Sequence, residues 1–264
     1  MTSPATVIRS RPLRALAVLS GGGILVAALA GCGDTNVDEA PVERKSFALS
    51  GKTLVIDSDD SDLSVVQADV ADVRVSRQVD GWVFGGSGPE KVWKLKGDTL
   101  TLRMKCSAIA SDCRGRHTVK VPLGTAVSVR SDNGGVTAEG LSGSVRVASD
   151  NGDVTVRDTT GPLELRTTNG KVSTENVAAE RLSAVSDNGN VHIGVSAGKV
   201  PDRISAVSDN GEVRITLPRA EGPYAVTARS GNGSADVDVP TDRESSRVVE
   251  ARSDNGNVRV RAAE

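Results

Sequence analysis

Seven Asn-Gly pairs punctuate the second half of the chain, and apolar residues alternate with polar ones on both sides of each. The pairs are Asn133-Gly134, Asn151-Gly152, Asn169-Gly170, Asn188-Gly189, Asn210-Gly211, Asn232-Gly233 and Asn255-Gly256, at intervals of 18, 18, 19, 22, 22 and 23 residues. Six positions before the asparagine stand Val127, Val145, Leu163, Leu182, Ile204, Val226 and Val249. Four before it stand Val129, Val147, Leu165, Ala184, Ala206, Ala228 and Ala251. The column two before holds only Ser or Thr, and the columns three and five after are again mostly Val and Ile. Even offsets before the corner and odd ones after it are period-two alternation, the mark of strands with one buried face. The pair shifts the phase, which predicts positive φ at these corners, a conformation that asparagine and glycine tolerate.

A degenerate copy lies upstream: Leu54, Ile56, Ser58, then Asp60-Ser61 in place of Asn-Gly, then Leu63 and Val65. Between it and the first full copy come less regular strands around Val73 and Val75, Leu100 to Met104, and Val119 and Val121. The stretch from Gly81 to Glu90 breaks the frame and reads as an excursion carrying Trp82 and Phe84.

Two architectures use such a pattern. Tight type I′ hairpins at each Asn-Gly would build an antiparallel β-meander or barrel. Alternatively, each repeat of about 18–23 residues is one coil of a parallel β-solenoid, a single all-β domain. Hairpins need only local pairing, whereas stacking puts each side chain against its own equivalents ~4.8 Å above and below. Stacking therefore demands the same residue class in every column, and the Ser/Thr column meets that demand. The solenoid is the preferred reading, with eight to ten coils in a rod ~40–50 Å long.

The first residues follow another logic. Arg9, Arg11 and Arg14 precede an apolar run from Ala15 to Ala30, shorter than the ~20 residues that span a bilayer. A basic front, a short apolar core and small residues behind it describe an export signal. The run ends in Leu29-Ala30-Gly31-Cys32, which resembles the lipobox of bacterial lipoproteins. That resemblance implies cleavage before Cys32, diacylglycerol on its thiol, and a stable two-chain anchor. The expected organisation is a signal peptide over 1–31, lipidated Cys32 with a flexible tether over 32–46, and the repeat domain over 47–264. It places the chain on the outer face of the bacterial cytoplasmic membrane.

Loss of the three signal arginines moves the formal charge from −2 to about −5. No basic excess remains to attract nucleic acid, so no nucleic-acid partner is expected. With Cys32 committed to lipid, Cys106 and Cys113 remain, and an oxidising compartment makes a disulfide between them the expectation.

Candidate chemistry is sparse. His117 and His192 are the two histidines. Alternation points His192 outward, and His117 is expected on a loop without a partner. Asp132, Asp150, Asp187, Asp209 and Asp254 precede their asparagines and read as turn chemistry rather than a calcium site. Trp82, Phe84 and Trp93 are expected to plug an open end of the stack. No nucleophile elbow, phosphate loop or zinc spacing occurs, so no catalytic residue, metal or cofactor is assigned.

The lipobox, "VIDSDDSDLSVV", the paired cysteines, "VKVPLG", the repeated "SDNG" and "RITLPRAEGPYAV" together resemble the bacterial putative-adhesin β-strand-repeat family. The resemblance spans roughly 47–264 and implies a right-handed β-solenoid at the cell surface. Its motifs specify fold far better than activity. The expected function is a non-enzymatic binding or scaffolding module of the envelope, with a protein or glycan partner. An envelope-stress sensor and a polysaccharide-processing β-helix enzyme are the alternatives.

Overall fold

The computed structural model describes residues 36–263, apart from 108, 198–199 and 220–221. The signal sequence, Leu29, Ala30, Gly31 and Cys32 lie outside the described residues. Every regular element among those described is a strand. The first seven are β1 (Glu43–Phe47), β2 (Thr53–Ser58), β3 (Asp62–Gln67), β4 (Val73–Phe84), β5 (Ser87–Lys96), β6 (Thr99–Ser107) and β7 (Ala110–Val121). Then come β8 (Ala126–Ser131), β9 (Val136–Glu139), β10 (Val145–Ser149), β11 (Val154–Arg157), β12 (Leu163–Thr167), β13 (Val172–Val177) and β14 (Arg181–Ser186). The last are β15 (Val191–Val195), β16 (Arg203–Ser208), β17 (Val213–Leu217), β18 (Ala225–Ser230), β19 (Ala235–Asp238), β20 (Val248–Ser253) and β21 (Val258–Ala262).

Each Asn-Gly corner separates an even strand from the odd strand that follows it, and the two enter different sheets. One sheet runs β1-β4-β7-β3-β9-β11-β13-β15-β17-β21-β19, the other β18-β20-β16-β14-β12-β10-β8-β2-β6-β5. Pairing between coils is parallel and in register: Val127, Val145, Leu163, Leu182 and Ile204 follow one another across β8, β10, β12, β14 and β16. The fold is a parallel β-solenoid, and the antiparallel meander or barrel is excluded. The alternating Val, Leu and Ile of both sheets meet in one core, with Val147, Val156, Leu165 and Ile215 at most 1% exposed.

Coil order in space departs from chain order twice. The degenerate copy, β2 and β3, stacks directly on β8 and β9, while β6 and β7 lie on its other side. At the far end β20 and β21 insert between β16/β17 and β18/β19, so the last coil in sequence is the penultimate one in space. Sequence columns fix which residues are equivalent but not which copies touch.

The excursion expected from Gly81 instead lies at the ends of two long strands, β4 and β5, which enter different sheets. β4 runs antiparallel along β7 through Phe84, and β5 runs antiparallel along β6, so two consecutive strands extend both sheets at the same end. Residues 36–46, expected as part of a tether, are also built in. β1 pairs with β4, and the Gln78 amide donates to the carbonyls of Val37, Asp38 and Ala40. That segment is held by backbone pairing and polar contacts rather than by an apolar stripe, which is why its periodicity is silent. Cys106 of β6 and Cys113 of β7 form a disulfide within this closed end.

Candidate binding face

The corners differ in mechanism from the sequence expectation. None of the seven Asn-Gly pairs has positive φ. Their glycines are required by crowding: a Cβ on Gly152 would lie 2.0 Å from the carbonyl oxygen of Gly134, and one on Gly170 2.2 Å from that of Gly152. Left-handed residues occur at the opposite corner, where Gly140 (φ 68°), Asp158 (φ 51°) and Asn176 (φ 52°) stand one coil apart.

Close stacking lets the corner satisfy itself. The hydroxyl of Thr167 accepts from the N–H of Gly170 in its own coil and donates to the carbonyl of Gly152 in the coil before. Ser186, Ser208 and Ser253 repeat both bonds. Outside them runs an amide ladder: Asn151 donates to Asn133, Asn169 to Asn151, Asn188 to Asn169 and Asn210 to Asn188, at 2.7–2.9 Å. Asn255 then donates to Asn210 and Asn232 to Asn255, both at 2.8 Å, following the spatial order. Asn133 donates to Asp60. A carboxylate only accepts, so Asp60 fixes the direction of every amide behind it.

The aspartates beside these asparagines are exposed or half-exposed. Asp187 and Asp254 pair with Arg166 and Arg252. Among the described residues no group of three carboxylate, His or Cys side chains is placed to hold a metal.

His117 does not sit on a loop. It faces inward from β7, 1% exposed, in register with Leu63 and Arg77. Burial, and then the Arg77 guanidinium, push its pKa down to about 4, so it is neutral near pH 7. Arg77 itself is 8% exposed, donates to Glu43 at 2.6 Å and lies 3.8 Å from the Trp93 ring centre. Of the three aromatics expected to plug the end, Trp93 packs on the core, while Trp82 and Phe84 are 38% and 68% exposed. His192 faces outward from β15, half-buried. Burial first, then Lys171 and Arg214, lower its pKa.

One outer face offers a concavity. An open trough of about 770 Å³ crosses the sheet that contains β8 to β16. One register row runs through it: Ser128, Arg146, Glu164, Ser183, Ser205 and Glu250. Arg146 pairs with Glu164 at 2.5 Å and Arg203 with Glu250 at 3.1 Å, so charged walls flank a floor of serines. Val185 and Val207 are the next outward pair, and Arg181 stands in register with Arg203. The arrangement presents hydroxyls, short apolar patches and guanidinium groups along a repeating edge. It can bind an extended polar chain by hydrogen bonds and charge. Its two carboxylates, Glu164 and Glu250, stand three strands apart along that row.

Sequence reasoning missed this trough. A signal was available: "RLSAVSDNG" and "RISAVSDNG", from Arg181 and Arg203, put a small serine at the middle outward position of two adjacent coils. A smaller polar cleft of about 280 Å³ lies beside Asp60, Asp62 and Arg114, and Arg116 pairs with Asp38 along its edge.

Fold and face together define a parallel β-solenoid with laddered corners and an outer trough of mixed polar and apolar lining. The chain belongs to the Toastrack DUF4097 family, whose model matches residues 49–264. Two solved structures are similar to it. One is titled a putative cell adhesion protein from Clostridium sporogenes, at 12% identity and TM-score 0.41, covering 85% of this chain and 100% of that one. The other is titled a putative adhesin from Bacteroides fragilis, at 15% identity and TM-score 0.45, covering 84% and 97%. No curated protein matches the chain.

Proposed function

We propose that this protein is a non-enzymatic binding module of the bacterial envelope, held outside the cytoplasmic membrane by lipid on Cys32, with the β8–β16 trough as its contact face. The supporting observation is the division of labour among polar groups. Corner hydroxyls and amides are consumed in ladders, whereas Ser183, Ser205, Arg181 and Arg203 line an open concavity. An extended envelope glycan or peptide lying across the coils matches the repeat of that edge. The lipobox and export signal supply the anchoring part of the reading.

Two experiments separate its parts. Full-length chain carrying a photo-crosslinker at Ser205 should capture a partner in intact cells, and the same probe at Thr155 on the other sheet should not. Equal capture from both positions, or none, rejects the trough. Labelled palmitate should enter the wild-type chain and not Cys32→Ala; equal labelling rejects the anchor.

A further inference from the structure

The two ends of the stack are finished differently. At one end β4 and β5, with β1 outside β4, cover the coil of β6 and β7 with antiparallel strands. At the other, β18 and β19 are simply the last strands of their sheets. Their interior columns are open. Val226 and Ala228 are half-buried and Ala235 and Val237 exposed, the last at 39%. One coil inward the equivalent Val249, Ala251, Val258 and Val260 are at most 2% exposed. Two adjacent parallel edges with apolar residues between them template further pairing unless something covers them.

We propose that a second copy of this chain covers this end, continuing both sheets across a two-fold axis that lays β18 of each copy along β19 of the other. Head-to-tail growth is disfavoured, because the edge strands of the opposite end, β1 and β5, carry Glu43, Arg44, Lys45, Pro89 and Lys91 in place of an open apolar pair. Copies therefore meet open end to open end, an isologous contact that closes at two. Charge selects among the two-folds. The outward residues of β18 include Arg229, and those of β19 are Asp236 and Asp238. Arg229 stands beside Arg252 in its own sheet, while Asp236 and Asp238 stand beside Arg259 and Arg261. Among the described residues none of Arg229, Asp236 and Asp238 is held in an ion pair. Laying β18 on the second copy's β19 gives Arg229 an acid and extends the alternation of charge on both faces. Laying like strand on like strand sets the acids against each other, which costs stability.

The test uses full-length chain in detergent micelles, with mass measured by sedimentation. The expected result is a dimer whose population rises with concentration. Arg229→Asp should weaken it by about tenfold or more, Asp236→Arg with Asp238→Arg should do the same, and all three changes in one chain should restore it. Melting curves unchanged at concentrations too low for the dimer would show that the variants fold. A wild-type chain that stays monomeric at every concentration overturns the proposal. So does a dimer indifferent to Arg229→Asp, or a triple variant that remains as weak as the single one. The trough plays no part in this contact, so failure here leaves the binding-face reading standing.

Discussion

The middle of the stack and its covered end solve the same problem, the burial of alternating apolar residues, by opposite means. From β8 to β17 each coil is held by its copies: in-register backbone, a hydroxyl bond, an amide rung, and glycines that let carbonyls approach. At the covered end nothing repeats. There, antiparallel strands, one disulfide, a neutral buried histidine and an arginine stacked on Trp93 do the work. Repetition makes the middle tolerant of outward change and intolerant of corner change. Unique contacts make the covered end sensitive to conditions such as pH.

The largest expected effect separates two kinds of glycine. Gly170→Ala puts a methyl 2.2 Å from the Gly152 carbonyl oxygen, between backbones that cannot part without opening the core. A loss of more than about 4 kcal/mol is expected, since this is overpacking at a fixed backbone. Gly97 turns between β5 and β6 with φ of 62° and open space around its Cα. Gly97→Ala should cost only about 1–2 kcal/mol, the strain of a left-handed alanine. Urea denaturation of both variants checks the ranking; similar midpoints would show that corner crowding is relieved by local movement.

The second effect belongs to the covered end. His117 is neutral when folded with a pKa of about 4, against 6.5 for the free group. Protonation favours the unfolded chain, so this contribution is fully present above pH 6.5 and lost as pH falls toward 4. Between pH 7 and 4.5 wild type should lose about 2–3 kcal/mol relative to His117→Leu. Asp59, whose carboxyl burial pushes up, works in the opposite sense and is common to both chains. Parallel stability–pH curves for the two proteins would mean that the histidine is not what makes this end acid-sensitive.

The same contrast explains what could be read from the sequence. The solenoid, its core columns and the Ser/Thr corner were legible because stacking imposes one residue class on every copy. The reason for the corner glycines was not, because crowding between coils and positive φ within one select the same residue. The covered end was illegible for another reason. Arg77, His117 and Glu43 each occur once, and their partners come from strands far apart in sequence. Coil order was hidden too, since any two equivalent strands stack equally well in register. The trough was present in two adjacent "SAVSDNG" segments, but outward small residues carry meaning only once neighbouring coils are known.

Within the middle, the ladder offers a gentler break. Asn169→Ala removes the bonds to Asn151 and from Asn188 while leaving the backbone untouched. The amides are exposed, so the expected loss is about 1 kcal/mol. It should be felt locally, as faster amide hydrogen exchange at the corners of the two adjoining coils, because stability in a repeat stack is a sum of neighbour terms. Exchange altered evenly from end to end would contradict that nearest-neighbour picture.

The smallest effect on folding tests where function can be written. Arg146 and Glu164 are 66% and 59% exposed, so water and salt already screen most of their attraction. Arg146→Ala should therefore shift stability by under about 0.5 kcal/mol. Yet Arg146 forms one wall of the trough, and its loss should reduce capture by the Ser205 probe in cells. If stability fell by as much as in Asn169→Ala, the outer pairs would be part of what holds the coils together. If capture were also unchanged, the contact would lie elsewhere on the face. A solenoid whose corners carry the stability leaves its outward residues free to vary, and only at such positions can binding be altered while the stack is preserved.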